Sequence, residues 1–284
     1  MSAQFLPLRD AMARHVRDGM TVALEGFTHL IPFAAGHELI RQQRRGLTLV
    51  RMTPDLIYDQ MIGMGCAAGI TFSWGGNPGV GSLHRLRDAI EHAWPHAIAV
   101  DEHSHAGMAV RYSAGASGLP FGVLKGYAGT DLPAANPTTI ATVTCPFTGE
   151  ELTAVPAIRP DVTILHAQQA DREGNVLLRG IVGASREAAM AAATVVVTVE
   201  EVVEELDAAM NSFVIPGWQV AAISEVPGGA YPSYALGYYE RDNAFYLAWD
   251  AIARDRDAFR AWMTRHVTGT ADHAAFLRSV GAVA

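Results

Sequence analysis

Four segments of this 284-residue chain bring together residue types that can do chemistry. In Phe72-Ser73-Trp74-Gly75-Gly76-Asn77-Pro78-Gly79-Val80-Gly81-Ser82, four glycines fall within seven residues. Such a loop can aim several backbone N–H groups into one concave site, suited to a phosphate, a carboxylate or a developing oxyanion. It lacks the Gly-Lys-Ser/Thr ending of a P-loop and the spacing of a dinucleotide fingerprint, so nucleotide hydrolysis and nicotinamide binding are not indicated. A Gly-rich turn without a ligand is the plainer alternative. The run Asp101-Glu102-His103-Ser104-His105-Ala106-Gly107-Met108 offers a carboxylate and two imidazoles as acid, base or metal ligand. No Cys/His pattern of zinc-ligand spacing accompanies His103 and His105, which argues against one shared ion, and helix capping by Ser104 is the plainer reading.

In Glu25-Gly26-Phe27-Thr28-His29-Leu30-Ile31-Pro32 a glycine directly follows an apolar run, where a ligand can approach the backbone closely. The fourth segment, His166-Ala167-Gln168-Gln169-Ala170-Asp171-Arg172-Glu173-Gly174-Asn175, contains a good turn pair and reads as structural. The acidic residues Glu200, Glu201, Glu204 and Glu205 read as a solvated face.

The elements that must position these segments follow from the apolar pattern. Residues 5–16 carry apolar positions at helical spacing and end at Asp18-Gly19. Strands are expected at 20–24, 47–52, 70–74, 98–101, 162–166, 194–199 and near 219–222. Helices are expected at 34–44, 56–64, 83–93 and about 186–193, and residues 243–280 read as helical. This alternation implies an α/β fold, three layers α/β/α, with a central and mostly parallel sheet. All of 1–284 reads as a single domain, with a Gly-, Pro- and Thr-rich irregular excursion over 119–152 carrying at most a small hairpin.

Composition removes several function classes. A formal charge of -8 with dispersed basic residues argues against nucleic acid. Two cysteines, Cys66 and Cys145, and no zinc-type spacing argue against a disulfide framework and a metal site. No signal peptide or membrane span is apparent, and a cytoplasmic location is expected.

Taken in order, these segments resemble the class I coenzyme A transferases, in particular the A subunits related to glutaconate CoA-transferase. The resemblance rests on Asp18-Gly19 with Glu25-Gly26-Phe27, where the family normally reads Gly-Gly-Phe, on His166-Ala167-Gln168 with Asp171 and Gly174-Asn175, on Val197-Thr198-Val199-Glu200-Glu201-Val202, and on Glu225-Val226-Pro227-Gly228-Gly229-Ala230-Tyr231-Pro232. It implies a homologous B subunit, commonly in an α2β2 assembly, whose glutamate carries a glutamyl-CoA thioester. It implies a CoA thioester as substrate and no permanently bound cofactor. Gly26, Phe27, Thr53, Ser73, Gly75, Gly76 and Asn77 are then expected to line the shared cleft, with Gly76 N–H facing a thioester or anhydride oxygen. Some relatives are hydrolases of cyclic β-dicarbonyl CoA thioesters that use an A-subunit glutamate near residues 101–105. Glu102 keeps that alternative open, while alignment on Leu119-Pro120-Phe121 puts His105 at the position instead. A non-catalytic small-ligand-binding module is the alternative of another class.

Overall fold

The computed structural model describes residues 3–282. Its strands are β1 (Gln4–Phe5), β2 (Thr21–Leu24), β3 (Leu47–Val50), β4 (Ala67–Phe72), β5 (Ala99–Glu102), β6 (Phe121–Leu124), β7 (Ala141–Thr144), β8 (Glu151–Pro156), β9 (Val162–Asp171), β10 (Val176–Arg179), β11 (Thr194–Val203), β12 (Ser212–Ile215) and β13 (Val220–Glu225). The first five helices are α1 (Leu8–His15), α2 (Phe33–Arg41), α3 (Leu56–Gly63), α4 (His84–His92) and α5 (His105–Ala116). The main sheet runs β1-β13-β11-β9-β2-β3-β4-β5, and every neighbouring pair on that path is parallel. β10 and β12 extend it antiparallel from the far end of β9.

Burial on both faces explains why these strands read as apolar runs. Val22 and Leu24 of β2, with Leu47 and Leu49 of β3, face the core built with α2, α3 and the C-terminal helices. Ala23 and Val50 point the other way, onto Met108 and Tyr112 of α5 and Ala184 and Ala188 near the 185–191 helix. Alternate residues of one strand therefore hold two different helical layers. From β2 the chain proceeds outward to β5, and from β9 it proceeds in the opposite direction to β13. The order reverses between β2 and β9, and ligands of open α/β sheets bind beyond the carboxyl ends of strands near such a point.

One region differs from the sequence reading, and a second, helical as expected, is divided into segments. Residues 119–152 are more regular than expected, because β6 and β7 both pair with β8 in a three-stranded antiparallel sheet. Residues 243–280 are not one helical run. Asp255 accepts from the N–H groups of Asp257 and Ala258, and Asp272 accepts from that of Ala275, so each aspartate caps a new helix and breaks the preceding one. Among the described residues no helix is long and apolar enough to cross a membrane.

Candidate functional site

Beyond the carboxyl ends of β2, β3, β4 and β5 lies a cleft of about 370 Å³. Phe27 and Thr28, just after β2, form one wall, and Thr53 with Asp55, after β3, form the next. Trp74, Pro78 and Gly79 come from the Gly-rich loop after β4, and His105 opens α5. Arg51 also borders the cleft.

Gly26 is fixed by sterics. Its φ is 156°, and an added Cβ would lie 2.7 Å from the Leu30 carbonyl oxygen and 2.8 Å from that of His29. Only glycine lets the 27–31 loop fold back tightly enough to present Phe27. Ser73 Oγ donates to the Met52 carbonyl at 2.7 Å, and the buried Asn77 donates from Nδ2 to the Tyr246 carbonyl at 2.7 Å. These two residues tie the Gly-rich loop to the β3 turn and to the 243–254 helix.

The expectation for Gly76 is corrected by its partners. Its N–H donates to the Pro54 carbonyl at 3.2 Å, those of Ser73 and Trp74 both go to Met52, and that of Asn77 goes to Gly81. The loop spends these amides on its own fold, so Gly76 does not present an oxyanion donor. An added Cβ at Gly76 would instead sit 2.5 Å from the Trp74 ring. Gly76→Val is therefore expected to displace the Trp74 wall and weaken ligand binding in the cleft about tenfold, the equivalent of about 1.4 kcal/mol. An unchanged affinity in a binding titration would remove Trp74 from ligand contact.

Of the expected site residues, Phe27, Thr53 and His105 border the cleft directly, while Gly26, Ser73, Gly75, Gly76 and Asn77 shape the loops behind it. Glu102 does not border the cleft. It is exposed at the end of β5, and its N–H and carbonyl are both held by the Asn136 side chain. His103 is buried against Asp101, Thr139 and Tyr127, so it belongs to the scaffold. Ser104 caps α5 by accepting from the Gly107 N–H at 3.0 Å.

Asp101 holds this corner together, accepting from Arg111 Nη1 at 2.6 Å and Thr139 Oγ1 at 2.7 Å as well as contacting His103. Burial alone would raise its carboxyl, but His103, Arg111 and Thr139 outweigh that and hold it well below the ordinary range. A depressed folded value means the stabilisation is present above the unfolded pKa, near 3.9, and is lost as the pH falls through the folded one. Asp101→Asn is expected to lower stability by about 2 kcal/mol at pH 7, with the difference from the parent shrinking below about pH 4. Denaturant unfolding at both pH values checks this, and a difference independent of pH would contradict it.

Sequence reasoning missed the charged floor of the site. Arg51 is buried, and its Nη1 meets Asp55 Oδ1 at 3.0 Å while Nη2 donates to the Gly26 carbonyl at 2.7 Å. Burial pushes the Asp55 carboxyl up against the opposing pull of Arg51. Glu25 is 2% exposed, and its Oε1 accepts from the Met52 N–H at 3.2 Å and the Tyr112 hydroxyl at 2.7 Å. Burial raises this carboxyl too, with Arg51 again the main opposing influence. A charged residue directly at the end of each of two apolar strands was the available signal. The acidic run also needs correction, since Glu200 is buried, 2.6 Å from His166 Nε2, and accepts from the Gly228 N–H and the Tyr239 hydroxyl. Among the described residues no cluster of three or more His, Cys, Asp or Glu is placed to hold a metal ion.

Comparisons with known proteins bear on the chain as a whole. A family model described as Coenzyme A transferase matches residues 6–226. The A subunit of 3-oxoadipate CoA-transferase from Pseudomonas knackmussii is 64% identical over 274 residues, which cover 96% of this chain and 97% of that protein. The crystal structure of glutaconate coenzyme A-transferase from Acidaminococcus fermentans superposes with a TM-score of 0.91 at 29% identity, covering 99% of this chain and 93% of the other. The crystal structure of a variant of the decarboxylase AibA/AibB matches with a TM-score of 0.81 at 32% identity, over 93% of this chain and all of the matched one.

Proposed function

The chain belongs to the coenzyme A transferase family, and on that premise we propose that it is the A subunit of a two-subunit enzyme moving CoA from an acyl-CoA to a dicarboxylic acid. The observation that carries this reading is the absence of an available carboxylate in the cleft. Among the residues bordering it only Asp55 has a carboxyl group, and that group is buried in an ion pair with Arg51. Covalent transfer through a glutamate then requires the glutamate to come from a partner B subunit.

In the proposed sequence the partner's carboxylate attacks the thioester carbonyl, releasing CoA as thiolate and leaving a mixed anhydride. The thiolate attacks the glutamyl carbonyl of that anhydride, which frees the first carboxylic acid and leaves a glutamyl-CoA thioester. The acceptor carboxylate reverses both steps. This chain contributes the walls: Phe27, Thr53 and Trp74 exclude water, and His105 sits at the mouth as a polar contact. CoA thioester is a substrate here, and the reading calls for no permanently bound cofactor. The whole chain acts as one domain in an α2β2 assembly located in the cytoplasm.

The relative at 64% identity is named for 3-oxoadipate, which supports a C6 dicarboxylic acid with a 3-oxo group as the acyl partner. Placement of His105 rather than Glu102 at the cleft supports transfer over hydrolysis. The test is to co-purify the complex and measure CoA transfer to 3-oxoadipate and to glutaconate. Turnover with 3-oxoadipate at least about tenfold more efficient than with glutaconate is expected, the scale at which pocket contacts discriminate. Hydrolysis of the acyl-CoA without transfer would overturn the reading.

A further inference from the structure

Glu25 and Arg51 each stand directly after one of two adjacent parallel strands whose last pair is Ala23 and Val50, a register that continues to Glu25 opposite Met52. Each reaches into the other's loop. Glu25 Oε1 accepts the Met52 N–H at 3.2 Å, and Arg51 Nη2 donates to the Gly26 carbonyl at 2.7 Å. One loop continues into Phe27 and the other into Thr53, neighbouring walls of the cleft. A third element joins through Tyr112, whose hydroxyl donates to the same Glu25 oxygen at 2.7 Å. Tyr112 lies two helical turns along α5 from His105, so the tie extends to the residue at the mouth.

A carboxyl group in this position is costly. Glu25 is fully enclosed, and an apolar side chain of similar volume would fill the space without the loss of hydration. What an apolar side chain would not do is bind three cleft-forming elements at fixed spacing. We propose that Glu25 is a positioning residue that sets the separation of the Phe27 and Thr53 walls, and with it the length of acyl group the enzyme selects. The proposal rests on the transferase reading above.

The experiment uses the complex with its partner chain and compares kcat/KM for two dicarboxylic acids that differ by one methylene. In Glu25→Ala the ratio between the two acids is expected to fall at least about fivefold toward unity, since one methylene in a fixed pocket is worth roughly tenfold or more. In Glu25→Gln the amide oxygen still accepts from Met52 and Tyr112, and the ratio is expected to stay within about twofold of the parent. A fall of both acids by one common factor in Glu25→Ala, ratio unchanged, would show a scaffold role only and overturn the proposal. Should the alanine variant not assemble, Tyr112→Phe decides, because it removes one bond to Glu25 and leaves the ion pair intact. A shifted ratio there supports the proposal and an unchanged one rejects it. A parent complex that transfers CoA to neither acid would instead reject the transferase reading itself.

Discussion

Replacing Arg51 by methionine is expected to destabilise the protein by about 3–5 kcal/mol, the usual result of removing one partner from a buried ion pair. Asp55 then has no counter-charge in an enclosed site, and Glu25 loses its main opposing influence. For a chain of this size that corresponds to a fall in Tm of about 6–20 °C, read by thermal unfolding of the assembled complex. The loss has a second component, because the Gly26 carbonyl loses its donor and the Phe27 wall its anchor. Activity below the unfolding temperature is therefore expected to fall as well. Arg51→Met with Asp55→Leu is expected to recover most of the stability but not the activity, since the paired charges are replaced by packing while the anchor is still missing. A Tm within about 2 °C of the parent, on a scale where about 1 kcal/mol shifts it by that amount, would show that the floor of the cleft is not held by this pair.

The second large effect concerns the separated chain, which is expected to show no CoA transfer above background at any concentration. Its cleft offers aromatic, hydroxyl and imidazole groups, and its one bordering carboxylate is engaged. Without a free carboxylate the anhydride and thioester intermediates have nowhere to form. Titrating in the purified partner is expected to restore transfer until the two are equimolar. Saturable transfer by the separated chain, with the partner shown to be absent by mass spectrometry, would contradict this.

Much of the scaffold was legible because parallel strands buried on both faces leave continuous apolar runs. Residues 20–24 and 47–52 announced β2 and β3 in that way, and Gly26 marked the close turn that follows β2. Phe27, Thr53 and His105 were named through the family resemblance, and each lies within three residues of a strand end, on the side where such sheets bind ligands. The charged floor was not. Whether Glu25 is buried depends on Met52, Arg51 and Tyr112, residues distant in sequence that meet it only through strand pairing and α5 packing. Glu200 shows the same limit. Its neighbours in sequence suggested solvent, while His166 from β9 and Gly228 beyond β13 enclose it. The Gly-rich loop misled differently, since glycine content reveals where amides can point but not which carbonyls take them. Met52, Pro54 and Gly81 take those of Ser73, Trp74, Gly76 and Asn77. The caps at Asp255 and Asp272 were visible as residue types, but reading 243–280 as helical did not place the breaks they make.

The central claim is that this chain shapes the site while its partner carries the acyl and CoA groups. Incubating the complex with acyl-CoA and reducing it with borohydride converts a glutamyl thioester to the alcohol, and peptide mapping then locates the modified residue. The expected result is one modified glutamate on the partner chain and none on this one. Modification at Glu102, Asp55 or any other carboxylate of this chain would contradict the account.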